Sequence, residues 1–120
     1  MRQLREDLAN DTWTATDRTA GQVPTPRQSH GAVWDGPTMT MIVWGGGDDV
    51  DTGLSSGARY DPALDAWSAI ADASGTLPGR QRHTTVWTGA EMIVWGGLDS
   101  DANPLASGGV YDPAGDSWTA

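Results

Sequence analysis

The sequence predicts an all-β fold of two tandem four-stranded antiparallel units, and three observations carry that prediction. A block of sequence recurs at a nearly fixed interval. The composition combines 16 glycines with 7 tryptophans, 2 tyrosines and no phenylalanine, which suits short strands with frequent reversals. The longest aliphatic-aromatic run, Met41 to Trp44, is continuously apolar over four positions, the pattern of a short strand buried on both faces.

The recurrence is close to letter-perfect in places. Met-Ile-Val-Trp-Gly-Gly stands at 41–46 and again at 92–97, an offset of 51. Tyr60-Asp61-Pro62-Ala63 returns as Tyr111-Asp112-Pro113-Ala114, and Asp65-Ala66-Trp67 as Asp116-Ser117-Trp118. Upstream, Arg27-Gln28-Ser29-His30 matches Arg80-Gln81-Arg82-His83 and Val33-Trp34 matches Val86-Trp87, here with an offset of 53. The two extra residues of the first copy fall between Trp34 and Trp44, where Gly36 and Gly89 mark a hairpin loop that tolerates insertion. A weaker third copy opens the chain, with Arg5, Asp7, Ala9, Asp11 and Trp13 in step with Arg59, Asp61, Ala63, Asp65 and Trp67. All nine aromatic residues thereby occupy repeat positions.

Taken in order, the first strand of each unit is expected at 28–34 and 81–87, and the second at 40–46 and 91–97. The double glycine at Gly45-Gly46 and Gly96-Gly97 ends the second strand by admitting backbone conformations and close approaches that a side chain blocks. The third strand follows at 56–61 and 107–112. Asp-Pro after the tyrosine begins a tight turn, because proline fixes φ and aspartate accepts from the next amides. The fourth strand, at 65–69 and 116–120, carries the outer tryptophan.

A four-stranded unit of about 50 residues repeated in tandem is the blade of a β-propeller. A double glycine after an apolar strand, then a spaced tyrosine and a spaced tryptophan, resembles the kelch repeat. Gly45, Gly46, Tyr60 and Trp67 carry that signature in the first blade; Gly96, Gly97, Tyr111 and Trp118 carry it in the second. The Arg-x-x-His opening and the Val-Trp hairpin look like bacterial kelch repeats. The resemblance implies a partial propeller organised as 1–15, outer strands of a preceding blade; 16–23, linker; 24–69, blade 1; 70–77, linker; 78–120, blade 2. Because the first copy would duplicate an outer strand that a ring of identical chains already owns, the arrangement reads as part of a longer repeat protein. The flat apolar blade faces it leaves open invite self-association.

Kelch propellers serve as adaptors, structural modules and glycan-handling enzymes alike, so the resemblance fixes fold before function. It implies a non-catalytic scaffold or binding surface for protein or glycan. The rivals are part of a glycan-active enzyme resembling galactose oxidase or a sialic acid mutarotase, and a truncated gene product without independent function. The oxidase's cysteine-tyrosine cofactor is impossible without cysteine, which also removes disulfides and thiolate sites. The formal net charge of −9, with seven arginines and no lysine, disfavours nucleic acid and anionic membrane as partners. The N-terminal residues lack a signal-peptide core and no run is long enough to span a membrane. The compartment stays open.

Candidate binding residues are those near the channel mouth and in the loops after the double glycine. Arg27 and Arg80 share one repeat slot before the innermost strand. Asp48, Asp49 and Asp51 crowd the first loop, and Asp99, Asp101 and Asn103 mark the second. Asp99-x-Asp101-x-Asn103 imitates the start of a calcium loop, but Pro104 replaces the glycine and Val110 the bidentate glutamate, so no metal is expected. His30 and His83 share a slot and are expected to be structural, each bonding to a neighbouring strand or loop. No catalytic residue and no cofactor are expected.

Overall fold

The computed structural model describes residues 11–120, which form eight strands and no helix. Strands β1 (Gly31–Asp35), β2 (Thr40–Trp44), β3 (Gly57–Asp61) and β4 (Ala66–Ala69) make one sheet in sequential order. Strands β5 (Thr84–Trp87), β6 (Met92–Trp95), β7 (Gly108–Asp112) and β8 (Ser117–Thr119) make the second. Every neighbouring pair is antiparallel. The two units are four-stranded propeller blades, as the repeat implied.

The innermost strands begin later than expected, because Ser29 (φ 57°) and Arg82 (φ 58°) turn into the left-handed region just before them. No ladder can run through such a residue. The Tyr-Asp-Pro turns form as read. The Asp61 carboxylate accepts from the amide of Ala63 at 2.9 Å, and Asp112 accepts from Ala114 at 3.0 Å. Each turn is then locked from the far side: Tyr60 donates its hydroxyl to Asp65 at 2.6 Å, and Tyr111 donates to Asp116 at 2.6 Å. Asp65 and Asp116 both sit at φ 49°, a conformation that aspartate tolerates better than most residues.

The core lies between the blades, not within one sheet. Residues opposite one another in register share a face, so Val33, Ile42, Trp44, Gly57 and Arg59 line the front of blade 1. Trp87, Met92, Val94, Tyr111 and Trp118 line the back of blade 2. These two faces meet, with Ile70, Ala73 and Leu77 of the connecting segment packed into the same cluster. The Trp44 and Trp118 rings lie 5.0 Å apart between centroids. The Trp118 indole donates across to the Ala71 carbonyl at 2.9 Å, and Arg59 reaches the Pro113 carbonyl at 3.4 Å.

Met-Ile-Val-Trp differs between the two copies. In β2 it is buried or half-buried at every position, whereas in β6 burial alternates, with Ile93 38 % and Trp95 57 % exposed. Burial on both faces requires a blade in front, and among the described residues none covers the front of blade 2.

Of the outer strands expected within 1–15, residues 1–10 lie outside the described residues. Residues 11–16 form no strand, and Trp13 is 97 % exposed, with no sheet edge beside it. From Asp17 onward the segment runs against blade 1: its amide donates to Asp65 at 3.0 Å, and Gln22 donates to the Trp67 carbonyl at 2.8 Å. The segment between the blades repeats the first of these contacts, with Ala71 donating to Asp116 at 2.8 Å.

Candidate functional site

One end of the molecule gathers the loops that follow β2 and β6 and the segments that enter β1 and β5. The double glycines set its shape. Gly45 and Gly46 have φ of 71° and 96°, and Gly96 and Gly97 have 72° and 89°. A methyl group on Gly46 would lie 2.6 Å from the Gln28 carbonyl oxygen, and one on Gly97 would lie 2.5 Å from that of Gln81. The inner segment therefore crosses directly over the glycine backbone, and Gln28 pairs with Gly47 there as Gln81 pairs with Leu98.

The paired arginines hold this crossing together. Arg80 donates to the carbonyls of Gly96 at 3.0 Å and Ser107 at 2.7 Å, and to the Ser107 hydroxyl at 3.1 Å. Arg27 makes the matching bonds to Gly45 at 3.0 Å and Ser56 at 2.8 Å. Burial pulls both guanidinium pKa values down from the ordinary arginine range, and both remain cationic. Arg80 is fully buried and spends its donors inside the blade. Arg27 is half-buried, and its side borders open space.

The acidic loops divide in the same way. Asp48 accepts from the amides of Val50 at 3.1 Å and Thr52 at 2.8 Å. Asp99 accepts from Asp101 and Asn103, both at 2.9 Å, and takes the Asn103 side-chain amide at 3.3 Å. These bonds hold the Asp99 carboxyl below the usual range. The calcium-like spacing is thus an aspartate-capped turn whose first carboxylate is used by its own loop. Asp49, Asp51 and Asp101 are exposed. The two loops touch where the Gly53 amide donates to the Ser100 hydroxyl at 3.0 Å and Gln81 donates to the Asp51 carbonyl at 3.4 Å.

Beside the first loop the surface opens into two adjoining clefts of about 300 and 420 Å³. Pro26, Asp48 and Asp49 line both, with Arg27, Gln28 and Gly47 in one and Thr25 and Leu54 in the other. The structure therefore brings Arg27, Asp48 and Asp49 together and leaves Arg80 behind in the interior. Asp51, Asp99, Asp101 and Asn103 belong to the same end of the molecule but not to these clefts. Pro26 and Leu54 went unnoticed in the sequence because they carry no chemistry-bearing group. Their one signal was position, each lying within a few residues of a repeat landmark.

His83 packs its ring edge-on against Trp44 at 5.2 Å, and among the described residues neither ring nitrogen has a hydrogen-bond partner. Packing, rather than the expected bonding, holds it. Burial, with the nearby charges of Arg80 and His30, pushes its pKa down to about 4. His30, in the same repeat slot, is exposed.

No family model matches the chain. Human Kelch-like protein 34 is 29 % identical over 129 aligned positions, which cover 95 % of this chain and 18 % of that protein. An F-box/kelch-repeat protein of Arabidopsis thaliana is 36 % identical over 64 positions, 51 % of this chain and 13 % of that protein. These similarities support the kelch-repeat family. The chain spans less than a fifth of the length of either relative. In structural terms the repeated residues divide their labour here: the glycines admit the crossing inner segment, the tyrosine locks the Asp-Pro turn, and the tryptophan packs on that tyrosine, in blade 2 also across to Trp44 of blade 1.

Proposed function

We propose that this chain is a non-catalytic, bacterial-type kelch module of a partial propeller, and that its loop end receives a basic segment of a partner protein. The observation that carries the reading is the pair of clefts beside Asp48 and Asp49. Arg27 on their wall stays cationic but spends its donors within blade 1, and the carboxylates of Asp48 and Asp49 together outweigh its single charge. The formal net charge of −9 points the same way, and no salt bridge among the described residues neutralises it locally. A cationic partner gains from both the local carboxylates and the long-range field.

Protein is favoured over glycan because no tryptophan lines these clefts, and the exposed Trp34 and Trp95 stand in blade-face positions. Kelch-repeat relatives support a scaffold role.

The test is fluorescence anisotropy with labelled arginine-rich and glutamate-rich decapeptides at two salt concentrations. The arginine-rich peptide binds, its affinity falls as salt rises, and the variant D48N/D49N weakens it at least fivefold. Asparagine at position 48 still caps the loop, so the fold is retained. Unchanged binding by the variant, or preference for the acidic peptide, would refute the reading. Turnover of galactose or sialic acid would favour an enzyme instead.

A further inference from the structure

The two copies of the repeat present the same residues to different surroundings. Val33, Ile42 and Trp44 on the front of blade 1 are covered by blade 2, with Ile42 and Trp44 fully buried. Their counterparts on the front of blade 2, Val86, Ile93 and Trp95, are 51 %, 38 % and 57 % exposed. The opposite holds for the back faces. Trp87, Met92, Tyr111 and Trp118 of blade 2 pack into the interblade cluster. On the back of blade 1 the equivalent Trp34 is 47 % exposed, and Trp34, Met41, Tyr60 and Pro62 line an apolar hollow of about 410 Å³. One molecule thus carries both halves of an interface that it already uses once internally.

We propose that a second copy of this chain seats the back of its blade 1 on the front of blade 2, repeating the internal contact head to tail. In that contact Trp95 takes the place of Trp44. It meets Trp67 and His30 of the next copy as Trp44 meets Trp118 and His83. The backbone provides a matching link. Gly46 donates its amide to the Arg80 carbonyl at 2.9 Å, while among the described residues the equivalent Gly97 amide has no backbone acceptor.

Steric detail shows where the proposed contact differs from the internal one. Inside the molecule Gly31 faces Thr85 so closely that a methyl group on Gly31 would lie within contact-breaking distance of the Thr85 hydroxyl. On the open front, Thr84 stands in the Gly31 position, and the back face it would meet carries Ala32 in the Thr85 position. Ala32 removes the hydroxyl but keeps a Cβ, whose counterpart on Thr85 lies 2.8 Å from the methyl position, so in the proposed contact the strand must stand slightly further out than Gly31 does inside the molecule.

A duplicated outer strand would obstruct such stacking. Yet, among the described residues, 11–16 form no strand and Trp13 is 97 % exposed, so no described residue competes with β8 for the outer position of its sheet. Because front and back are different surfaces, the contact is heterologous and propagates until rotation closes it. Propellers close with about four to eight blades, hence about two to four copies of the two described blades.

The experiment is sedimentation velocity over a concentration series, with circular dichroism to check each fold. The wild type assembles beyond a monomer. W95E, altered on the front alone, and W34E, altered on the back alone, each remain folded and monomeric, with association at least tenfold weaker. Mixed together they form a one-to-one pair, because one retains an intact back and the other an intact front. V86E and P62E repeat the test should either first variant lose its β signal. A monomeric wild type, assembly indifferent to W95E, or a mixture that stays monomeric overturns the proposal. Loss of peptide binding leaves it untouched, since D48N/D49N lies on neither face.

Discussion

His83 shows how one slot in a repeat acquires a property its twin lacks. Its ring sits against Trp44, and among the described residues neither its nitrogens nor the nearby Thr85 hydroxyl finds a hydrogen-bond partner. Burial first, then the charges of Arg80 and His30, bring its pKa to about 4, against roughly 6.5 in an unfolded chain. Between those values the unfolded state binds the proton and the folded state does not, so stability falls as pH drops through the window. The contribution is complete above about pH 6.5 and exhausted near pH 4, and it amounts to about 2 kcal/mol once partial exposure is allowed for. The turn aspartate of blade 2 acts lower. Asp116, held down by the Tyr111 hydroxyl and then the Ala71 amide, loses its stabilising charge only as pH falls below the ordinary carboxylate range. Urea unfolding at pH 7, 5.5 and 4.5 should therefore show a decline that H83L abolishes. An equal decline in H83L would assign the slope to other groups.

At the scale of the element, the identical Met-Ile-Val-Trp strands make a controlled comparison. Trp44 in β2 is fully buried between two aromatic neighbours, whereas Trp95 in β6 is 57 % exposed over its own sheet. Truncating a buried tryptophan removes its transfer energy and leaves a cavity, so W44A should cost about 3 to 5 kcal/mol. W95A in dilute monomer should cost less than about 1 kcal/mol, as surface substitutions do. Equilibrium unfolding in urea checks both, and comparable losses would contradict the open front face. The contrast also marks how far the elements were legible in the sequence. Strand order, the double-glycine crossing and the Tyr-Asp-Pro turn followed from residue types with one conformational answer, such as glycine at positive φ. The exposure of Trp95 did not, since a repeat specifies what a strand presents and not what lies opposite. The site was legible to the same degree. Arg27 and Arg80 are identical in sequence terms, and only the depth of each within the blade pair separates a cleft wall from an interior clamp.

For the whole molecule the governing quantity is charge. A net charge of −9 is spread over a wedge whose principal extents are 46 × 30 × 23 Å. The described arginines are not paired with carboxylates; Arg27 and Arg80 instead serve backbone carbonyls. Self-repulsion of this kind destabilises the compact state and is screened by salt, with a Debye length falling from about 30 Å at 0.01 M to about 10 Å at 0.1 M. The first value matches the molecule's own dimensions and the second falls well below them, so added salt screens charges on opposite sides of one chain from each other. The same repulsion opposes head-to-tail stacking, and hence salt should favour assembly while it weakens capture of a basic peptide. Separating these effects requires a chain that cannot stack. In W95E, thermal unfolding should shift upward by a few degrees between about 0.01 and 0.1 M sodium chloride, following the collapse of the Debye length. A midpoint that stays constant or falls would mean that the carboxylates are already far enough apart for water alone to screen them. In the wild type the shift should be larger and depend on protein concentration, because there salt acts on two equilibria that both bring negative surfaces together.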